Sequence, residues 1–160
     1  MEIRRSQKQD IDKICEIYEI ARKFMAKNGN PTQWGDSYPT RDLVMGDIEK
    51  NGYVVVEGDR IIGVFVLEEN ADEEAYRTID GKWKSEAAYG VVHRCASRGM
   101  QKGVGQFLLD WCFSKTGNIR IDTHEDNAPM KKLLAKNGYE YCGKIYYPKA
   151  GERIAFQKIK

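Results

Sequence analysis

Apolar residues recur along this 160-residue chain with two spacings, and each spacing predicts a different element. Between Ile11 and Ala21 they fall mostly every three or four residues, which predicts a helix that ends near residue 27. In "YVVVE" and "RIIGVFVLEE" they form short β-branched runs separated by "GD", which predicts a β-hairpin. Extended over the whole chain, the pattern predicts the order β-α-α-β-β-β-α-β-α-β-β.

The predicted helices share an apolar stripe and turn residues at their ends, and they cover residues 7–27, 41–52, from a glycine-rich turn to about 115, and 127–138. The predicted strands share β-branched and aromatic residues, and they cover residues 1–5, 53–57, 60–69, 87–97, 119–123, 139–147 and 153–159. Ser6 and Thr40 are predicted to cap the first two helices. The segments 27–40 and 70–86 are predicted loops, the second with a turn at its "DG".

The order of these elements predicts the fold class. The β-α-β unit at 87–123 implies a parallel pair joined by a crossover helix, and the flanking hairpins imply antiparallel strands. We therefore expect an α/β (α+β) fold with one mixed, mostly antiparallel central sheet and helices on both faces. The length suits a single domain that covers residues 1–160.

Composition and charge narrow the functional classes. The net charge of +2 is too small to favour nucleic acid or an anionic membrane surface as a partner. The longest apolar run, "IIGVFVL", is too short to span a bilayer, and "MEIRRSQKQD" lacks the apolar core of a signal peptide. Four scattered cysteines without a CxxC pair favour reduced thiols, so we expect a cytoplasmic protein.

Gly103 and Gly105 lie at the start of the third predicted helix, although glycine disfavours helix by roughly 1 kcal/mol relative to alanine. A strand, a tight turn and a helix N-terminus together present unpaired N–H groups that can bind phosphate groups. Alternatively, the glycines serve only a turn and close helix packing. The letters match neither a P-loop, which needs Gly-Lys followed by Ser or Thr, nor the dinucleotide pattern GxGxxG.

The wider pattern resembles the GNAT superfamily of acyl-CoA-dependent N-acetyltransferases. "MQKGVG" at 100–105 is similar to its phosphate-binding pattern, except that Met100 stands where Gln or Arg is usual. "DTHEDNAPMKKLLAKNGYEYCGKIYY" is similar to a second signature of strand, Asn, helix and Gly-aromatic, and the element order matches over nearly the whole chain. "HRCAS", "IRIDTHEDN" and "LLAKNGYEYCG" look like the small bacterial members. The resemblance implies transfer of acetyl from acetyl-CoA to an amine, without a metal.

The resemblance also implies where the cofactor lies. In this family the sheet splays between the fourth and fifth strands, and the pantetheine arm lies in the gap. The fourth strand would be 87–95, where backbone groups of Cys95 and Ala96 would pair with pantetheine amides. Backbone N–H groups of the following turn would receive the diphosphate, namely those of Gln101, Lys102, Gly103, Val104 and Gly105. Asn127 matches the family Asn that often contacts the cofactor, and it could equally be a plain helix cap.

The catalytic residues are less determined, because Leu134 occupies the position where related enzymes commonly place a Tyr as the acid for the thiolate. The candidate substitutes are His124, His93, Tyr139 and Tyr141, and Tyr146 and Tyr147 lie further along the same predicted strand. Of the histidines we prefer His124, because it follows the fifth strand directly, near the expected splay. We expect neither Tyr139→Phe nor Tyr141→Phe to cause the 10²–10⁴-fold loss typical of acid–base catalysis.

The acceptor site would be walled by two predicted loops, by analogy with the family. Their aromatic residues Trp34, Tyr38, Tyr76 and Trp83 could enclose a cation. The acidic run Asp72, Glu73 and Glu74 could attract an ammonium, although a solvated acidic loop is the better interpretation. A small molecule or a peptide could supply the amine, and a homodimer is possible. No nucleic acid or membrane partner is expected.

Three other hypotheses remain open at this point. A non-catalytic acyl-CoA-binding module of the same fold would explain Leu134. A thiol enzyme would need a reactive Cys95. Asp122, His124 and Asp126 alternate along an extended segment and could resemble a metal cluster, although a polar connection is the better interpretation.

Overall fold

The strands form one eight-stranded sheet in a computed structural model that describes residues 1–99 and 101–160. In chain order the strands are β1 (Glu2–Arg5), β2 (Gly52–Glu57), β3 (Arg60–Glu68), β4 (Asp80–Gly81), β5 (Gly90–Ser97), β6 (Asn118–Thr123), β7 (Glu140–Tyr147) and β8 (Gly151–Ile159). The helices are α1 (Ile11–Lys27), α2 (Arg41–Lys50), α3 (Val104–Thr116) and α4 (Ala128–Lys136). The spatial order of the strands is β1-β2-β3-β5-β6-β8-β7-β4. Within the described ranges, no helix is long and apolar enough to cross a membrane.

The sheet is mixed and mostly antiparallel, with helices on both faces, as predicted. Successive residues of a strand point to opposite faces, so Val54 packs with α1 and α2 whereas Val55 packs with α3 and α4. Ile14 of α1 and Leu108 of α3 are fully buried on these two opposite faces. Full burial of one such side chain stabilises the fold by about 1.5–3 kcal/mol, which fixes both helical layers on the sheet.

Strands β5 and β6 pair in parallel over only two residues each and then separate. Its paired residues are Gly90 with Ile119 and Val91 with Arg120. Beyond Val91, β5 continues with β3 alone, while β6 continues with β8 as far as Thr123. The sheet is therefore open between the second halves of β5 and β6.

A bulge in β5 lies beside this opening. His93 pairs with Val66 and Ala96 with Val64, so Arg94 and Cys95 together oppose a single β3 residue. Arg94 has a φ of +47°, a left-handed conformation that is uncommon for a residue with a side chain.

Three helical and loop residues hold the bulge in place. The Asp47 carboxylate of α2 accepts from Nε and Nη2 of Arg94 at 2.8 and 2.7 Å. The Tyr18 hydroxyl of α1 donates to the Arg94 carbonyl at 2.7 Å, and Nη1 of Arg94 lies 3.3 Å from the Tyr38 hydroxyl oxygen. Burial opposes the charge of the guanidinium, but the bound Asp47 carboxylate prevails and raises the pKa of Arg94.

Several predicted boundaries differ from the structure. The strand predicted over 87–97 begins only at Gly90. The predicted turn at "DG" is instead β4, in which Gly81 pairs with Gly143 of β7. The two backbones approach so closely that a Cβ on either glycine would meet a carbonyl oxygen, and both glycines have φ above +140°.

Thr40 caps α2 as predicted, because its hydroxyl accepts from the Leu43 N–H at 3.2 Å. Ser6 does not cap the first helix. Asp10 is buried and accepts from the Gln7 N–H at 2.8 Å, so a short 3₁₀ turn precedes α1 and displaces the cap from Ser6.

We predict that Asp47→Ala destabilises the fold by about 3 kcal/mol, because it leaves the largely buried Arg94 guanidinium without its carboxylate. The matched control is Asp12→Ala, which removes an exposed partner of Arg41 and costs less than about 0.5 kcal/mol. Urea unfolding of the wild type and both variants measures the difference. Equal free energies of unfolding for the two variants would contradict the proposal that Asp47 holds the β5 bulge in place.

Candidate functional site

A cleft of about 400 Å³ opens where β5 and β6 separate. One wall is His93, Arg94 and Cys95 of β5, and the opposite wall is Ile121, Asp122 and Thr123 of β6. The loop between α1 and α2 covers one end with Gln33, Trp34 and Tyr38, and Tyr147, Ala150 and Arg153 from the β7–β8 hairpin also line it. These residues come from four separate parts of the chain.

Gln33 fastens the covering loop across the opening. Its side-chain carbonyl accepts from the amides of Asn30 and Asn127 at 2.7 and 3.1 Å, and from the Thr123 hydroxyl at 3.4 Å. Its backbone carbonyl accepts from Nη2 of Arg153 at 3.1 Å. One loop residue therefore connects the end of β6, the start of α4 and the start of β8.

A histidine and two glutamates meet at one end of the cleft. Nε2 of His93 lies 3.6 Å from a Glu73 carboxylate oxygen and 3.8 Å from one of Glu68, too far for hydrogen bonds. The possible ligand atoms of the three residues lie within 4.8 Å of one another, a spacing that could also hold a metal ion.

Burial sets the protonation of this cluster. It lowers the pKa of His93 to about 4, with a further contribution from the Arg94 guanidinium. Burial also raises the pKa of Glu73, and the negative charges of Glu68 and Asp122 add to that shift. At neutral pH the cluster therefore combines a neutral imidazole with a carboxylate of increased basicity.

Asp122 lies in the cleft wall with two tyrosines behind it. The hydroxyls of Tyr76 and Tyr147 donate to the same carboxylate oxygen at 2.6 and 2.7 Å. Burial raises the pKa of Asp122, although both hydrogen bonds act against that shift. Burial and the Asp122 charge also raise the pKa of Tyr147, so both hydroxyls remain protonated donors.

The turn before α3 carries the glycines that the sequence singled out. Gly103 is the N-cap of α3 with a φ of +85°, and no side-chain oxygen caps this end of the helix. Gln101 and Lys102 are exposed, and Val104 is buried in the core. Met100 lies outside the described residues.

Position 105 requires glycine for a different reason, which is helix packing. A Cβ at this position would lie 2.6 Å from a Leu133 methyl carbon of α4, so Gly105 permits close packing of α3 on α4. No atom within 4 Å would meet a Cβ on Gly103. The two glycines therefore have separate functions, one for backbone conformation and one for helix packing.

The predicted catalytic residues do not converge. Of the two histidines and Tyr139 and Tyr141, only His93 lines the cleft, and Tyr147 from farther along the chain lines it as well. Nδ1 of His124 accepts from the Asp126 N–H at 3.0 Å, in the turn that leads to α4. Tyr139 is buried in the core, whereas Tyr141 is 54% exposed and contacts Phe156. Leu134 is fully buried, so the usual position of the Tyr acid faces the core.

The predicted acceptor residues divide into two groups. Trp34 and Tyr38 line the cleft, with ring centroids 6.1 Å apart. Tyr76 and Trp83 are instead buried together beside β7 and β8, where the Trp83 indole N–H donates to the Tyr76 carbonyl at 3.0 Å. Tyr76 reaches the cleft only through its hydrogen bond to Asp122.

The predicted cofactor residues also occupy different places. Cys95 and Asn127 line the cleft, whereas Ala96 packs against the α1–α2 side of the sheet. Asn127 is the N-cap of α4, since its carbonyl oxygen accepts from the Met130 N–H at 3.2 Å. Its amide nitrogen donates across the cleft floor to Thr123 and Gln33.

Two of the alternative hypotheses lose support from this geometry. Burial raises the pKa of Cys95 to about 11, so its thiol stays protonated at neutral pH, unlike a reactive cysteine. Asp122 is bound to two tyrosines and His124 to the Asp126 backbone, so Asp122, His124 and Asp126 do not form a common ligand set.

Sequence reasoning missed Glu68, Arg94 and Arg153 as cleft residues, and placed Glu73 in a solvated loop. Arg94 lies inside the predicted strand 87–97 and Arg153 is the first residue of the predicted strand 153–159, and a charge at either position resembles an exposed strand position. The available signal was the neighbouring apolar residues, Val91 and Val92 before Arg94 and 154–156 after Arg153, because a charge beside such residues needs a buried partner or a cleft.

Comparison with solved structures identifies the family. An acetyltransferase of the GNAT family from Streptococcus agalactiae 2603 is 35% identical, with a TM-score of 0.88 over 99% of this chain and 95% of that chain. This chain belongs to the GNAT family. A candidate acetyltransferase from Staphylococcus aureus Mu50 is 26% identical, with a TM-score of 0.74 over 99% of each chain.

A third structure shares the GNAT fold at lower identity. YncA from Salmonella typhimurium, solved with its cofactor acetyl-CoA, is 15% identical, with a TM-score of 0.65 over 99% of this chain and 94% of that chain. A scan against family models gave no match, and a search of curated proteins gave none either. GNAT membership therefore rests on the solved structures, and it confirms the resemblance that the sequence motifs carried.

We predict that His93 stays neutral until far below the ordinary histidine pKa of 6.5, with a midpoint near pH 4. Between these two values the unfolded chain binds a proton that the folded chain does not, so acidification through this range lowers stability. NMR titration of the imidazole protons measures the midpoint, and His93→Gln assigns the resonance because the chain has only two histidines. A midpoint near 6.5 would contradict burial as the dominant influence.

Proposed function

We propose that this GNAT protein is an acyl-CoA-dependent N-acyltransferase that moves acetyl from acetyl-CoA to a primary amine by direct attack. The cleft between β5 and β6 carries the proposal, because it combines an open strand edge with a half-buried carboxylate that can accept a proton. The family relationship supports transfer from an acyl-CoA. The amine and the direct attack are inferred from the residues that line the cleft.

The residues of the opening fit an acyl-CoA. Beyond Val91, the edge of β5 that faces β6 has no partner strand among the described residues, so its backbone groups can pair with pantetheine amides. The uncapped N-terminus of α3 at Gly103 offers N–H groups and a helix dipole to a diphosphate. When bound, acetyl-CoA supplies an activated acyl thioester whose thiolate leaves.

Glu73 suits the role of proton acceptor. The attacking amine must lose a proton, and a base works best when its pKa lies near the operating pH. Burial moves the pKa of Glu73 upward, in that direction, whereas it moves the pKa of His93 away from it. The neutral His93 adds no positive charge, so it does not repel an incoming ammonium. In this proposal His93 lines the cleft beside Glu73 as a neutral group and does not serve as the base.

The usual position of the tyrosine acid in α4 is taken by Leu134, which faces the core. Tyr139 and Tyr141, which follow α4, do not line the cleft and cannot protonate the leaving thiolate. Tyr147 lines the cleft, but its hydroxyl proton is donated to Asp122. A free thiol has a pKa near 8–9, so a thiolate can depart into water without a dedicated acid. Catalysis in this proposal therefore depends mainly on positioning and deprotonation of the amine.

Thiol release from acetyl-CoA with a panel of amines tests the proposal. We predict that Glu73→Gln lowers kcat/KM by about 100-fold or more, as expected for loss of a general base. Its matched control is Glu74→Gln, which changes an exposed neighbour and should alter the rate less than twofold. His93→Gln should reduce the rate more than His124→Gln, because only His93 lines the cleft.

The outcomes separate the competing hypotheses. Tight CoA binding without thiol release for any amine would favour the non-catalytic binding module. A larger loss in His124→Gln than in Glu73→Gln would move the proton acceptor to the preferred histidine of the sequence analysis.

We predict that Gly103→Ala raises the Kd for CoA by about tenfold, because loss of one hydrogen bond to a charged group costs about 1.5 kcal/mol or more. The control is Gly58→Ala in the β2–β3 turn, which also has positive φ and open space around a Cβ. Calorimetric titration of CoA compares the folded variants. Equal affinities would mean that Gly103 serves only the turn.

A further inference from the structure

Arg153 is a buried positive charge in the cleft wall. The residue is only 7% exposed, and it lines the cleft at the start of β8. Its guanidinium donates to backbone carbonyls alone, at 3.0 Å to Ala150, 2.8 Å to Glu152 and 3.1 Å to Gln33. Among residues 1–99 and 101–160, no carboxylate lies within 4 Å of it.

Arg94 also lines the cleft, and it shows the carboxylate partner that Arg153 lacks. Arg94 is neutralised by two hydrogen bonds to the Asp47 carboxylate. Buried charges are normally paired, because removal of a charge from water is costly. Arg153 has five N–H groups and three bonds to carbonyls, so two of its N–H groups remain without an acceptor in the described part of the chain.

The cleft is therefore polarised. Its negative side is the Glu68–Glu73 pair beside His93, and its positive side is Arg153. Asp122 in the cleft wall interacts with both sides, because Arg153 acts to lower the pKa of Asp122 and the Asp122 charge acts to raise that of Glu73. A ligand that matches both sides carries a cation and an anion.

We propose that the acceptor is a small amino acid-type molecule whose amine lies at the Glu68–Glu73–His93 cluster and whose carboxylate pairs with Arg153. This inference rests on the proposed function, and it specifies the acceptor. Guanidinium and carboxylate form strong charge-assisted hydrogen bonds. A peptide N-terminus, a polyamine or a simple amine lacks the carboxylate and leaves Arg153 unpaired, so the site selects against them.

The test compares matched acceptors on the wild-type protein with acetyl-CoA. Each L-amino acid is assayed beside its amide and its decarboxylated amine, with β- and γ-amino acids to vary the charge spacing and aminoethyl phosphate to vary the anion. For the preferred amino acid, kcat/KM should exceed that of its amide by about 30-fold or more, since truncation of one partner of a buried charge pair costs at least 2 kcal/mol. An amide or amine that reacts as well as its amino acid overturns the proposal, and a preference for the phosphate overturns the carboxylate assignment.

Variants of Arg153 separate recognition from folding. Arg153→Gln should raise KM for the amino acid by about 30-fold while leaving KM for the amide nearly unchanged, and Arg153→Lys should recover part of the difference. The control Arg77→Gln changes an exposed arginine and should leave both values unchanged. An equal loss for both acceptors in Arg153→Gln, with normal circular dichroism, overturns the proposal.

Calorimetric binding keeps this inference distinct from the proposed function. If no acceptor releases thiol, the amino acid and its amide are titrated into the CoA complex. Tighter binding of the amino acid supports the Arg153 assignment even where the transferase proposal fails, and equal binding overturns it.

Discussion

The ion pair between Arg94 and Asp47 is the constraint on which the cleft depends. A parallel pair of strands would ordinarily continue its hydrogen bonds, but β5 leaves β6 after Val91 and bulges at Arg94. A left-handed residue with a side chain costs of order 1–3 kcal/mol and persists only where its surroundings hold it. Asp47 of α2 and Tyr18 of α1 bind Arg94 from the same face of the sheet and keep it in this conformation. The helical layer on that face therefore determines where the sheet opens.

Limited access of water then determines the chemistry inside the opening. The same burial lowers the pKa of His93 and raises the pKa values of Glu73, Asp122 and Cys95. These shifts leave the His93 imidazole uncharged, make the Glu73 carboxylate more basic and keep the Cys95 thiol protonated and unreactive. The cleft therefore favours proton transfer to a carboxylate over attack by cysteine.

Glycine residues have several structural roles in this fold, and local geometry determines each role. Gly103 adopts a left-handed conformation at the start of α3, whereas Gly105 leaves room for a Leu133 methyl. Gly81 and Gly143 allow two backbones to touch at the end of the sheet. One short motif, "GVG", thus combined a conformational glycine with a packing glycine, and its spacing alone could not separate the two.

The sequence by itself determined the order of the elements, the two helical layers and the family, because periodicity and local motifs report on neighbours along the chain. It also located Thr40 as a cap, and the glycine turn before α3. Only the tertiary structure decided that His93 rather than His124 lines the cleft, since a strand residue can face either side. Burial of Tyr76 and Trp83 and the exposure of Arg153 to the cleft followed from contacts between residues far apart in sequence. Such contacts leave no periodic trace in the chain, because they arise where the sheet opens and distant loops meet across it.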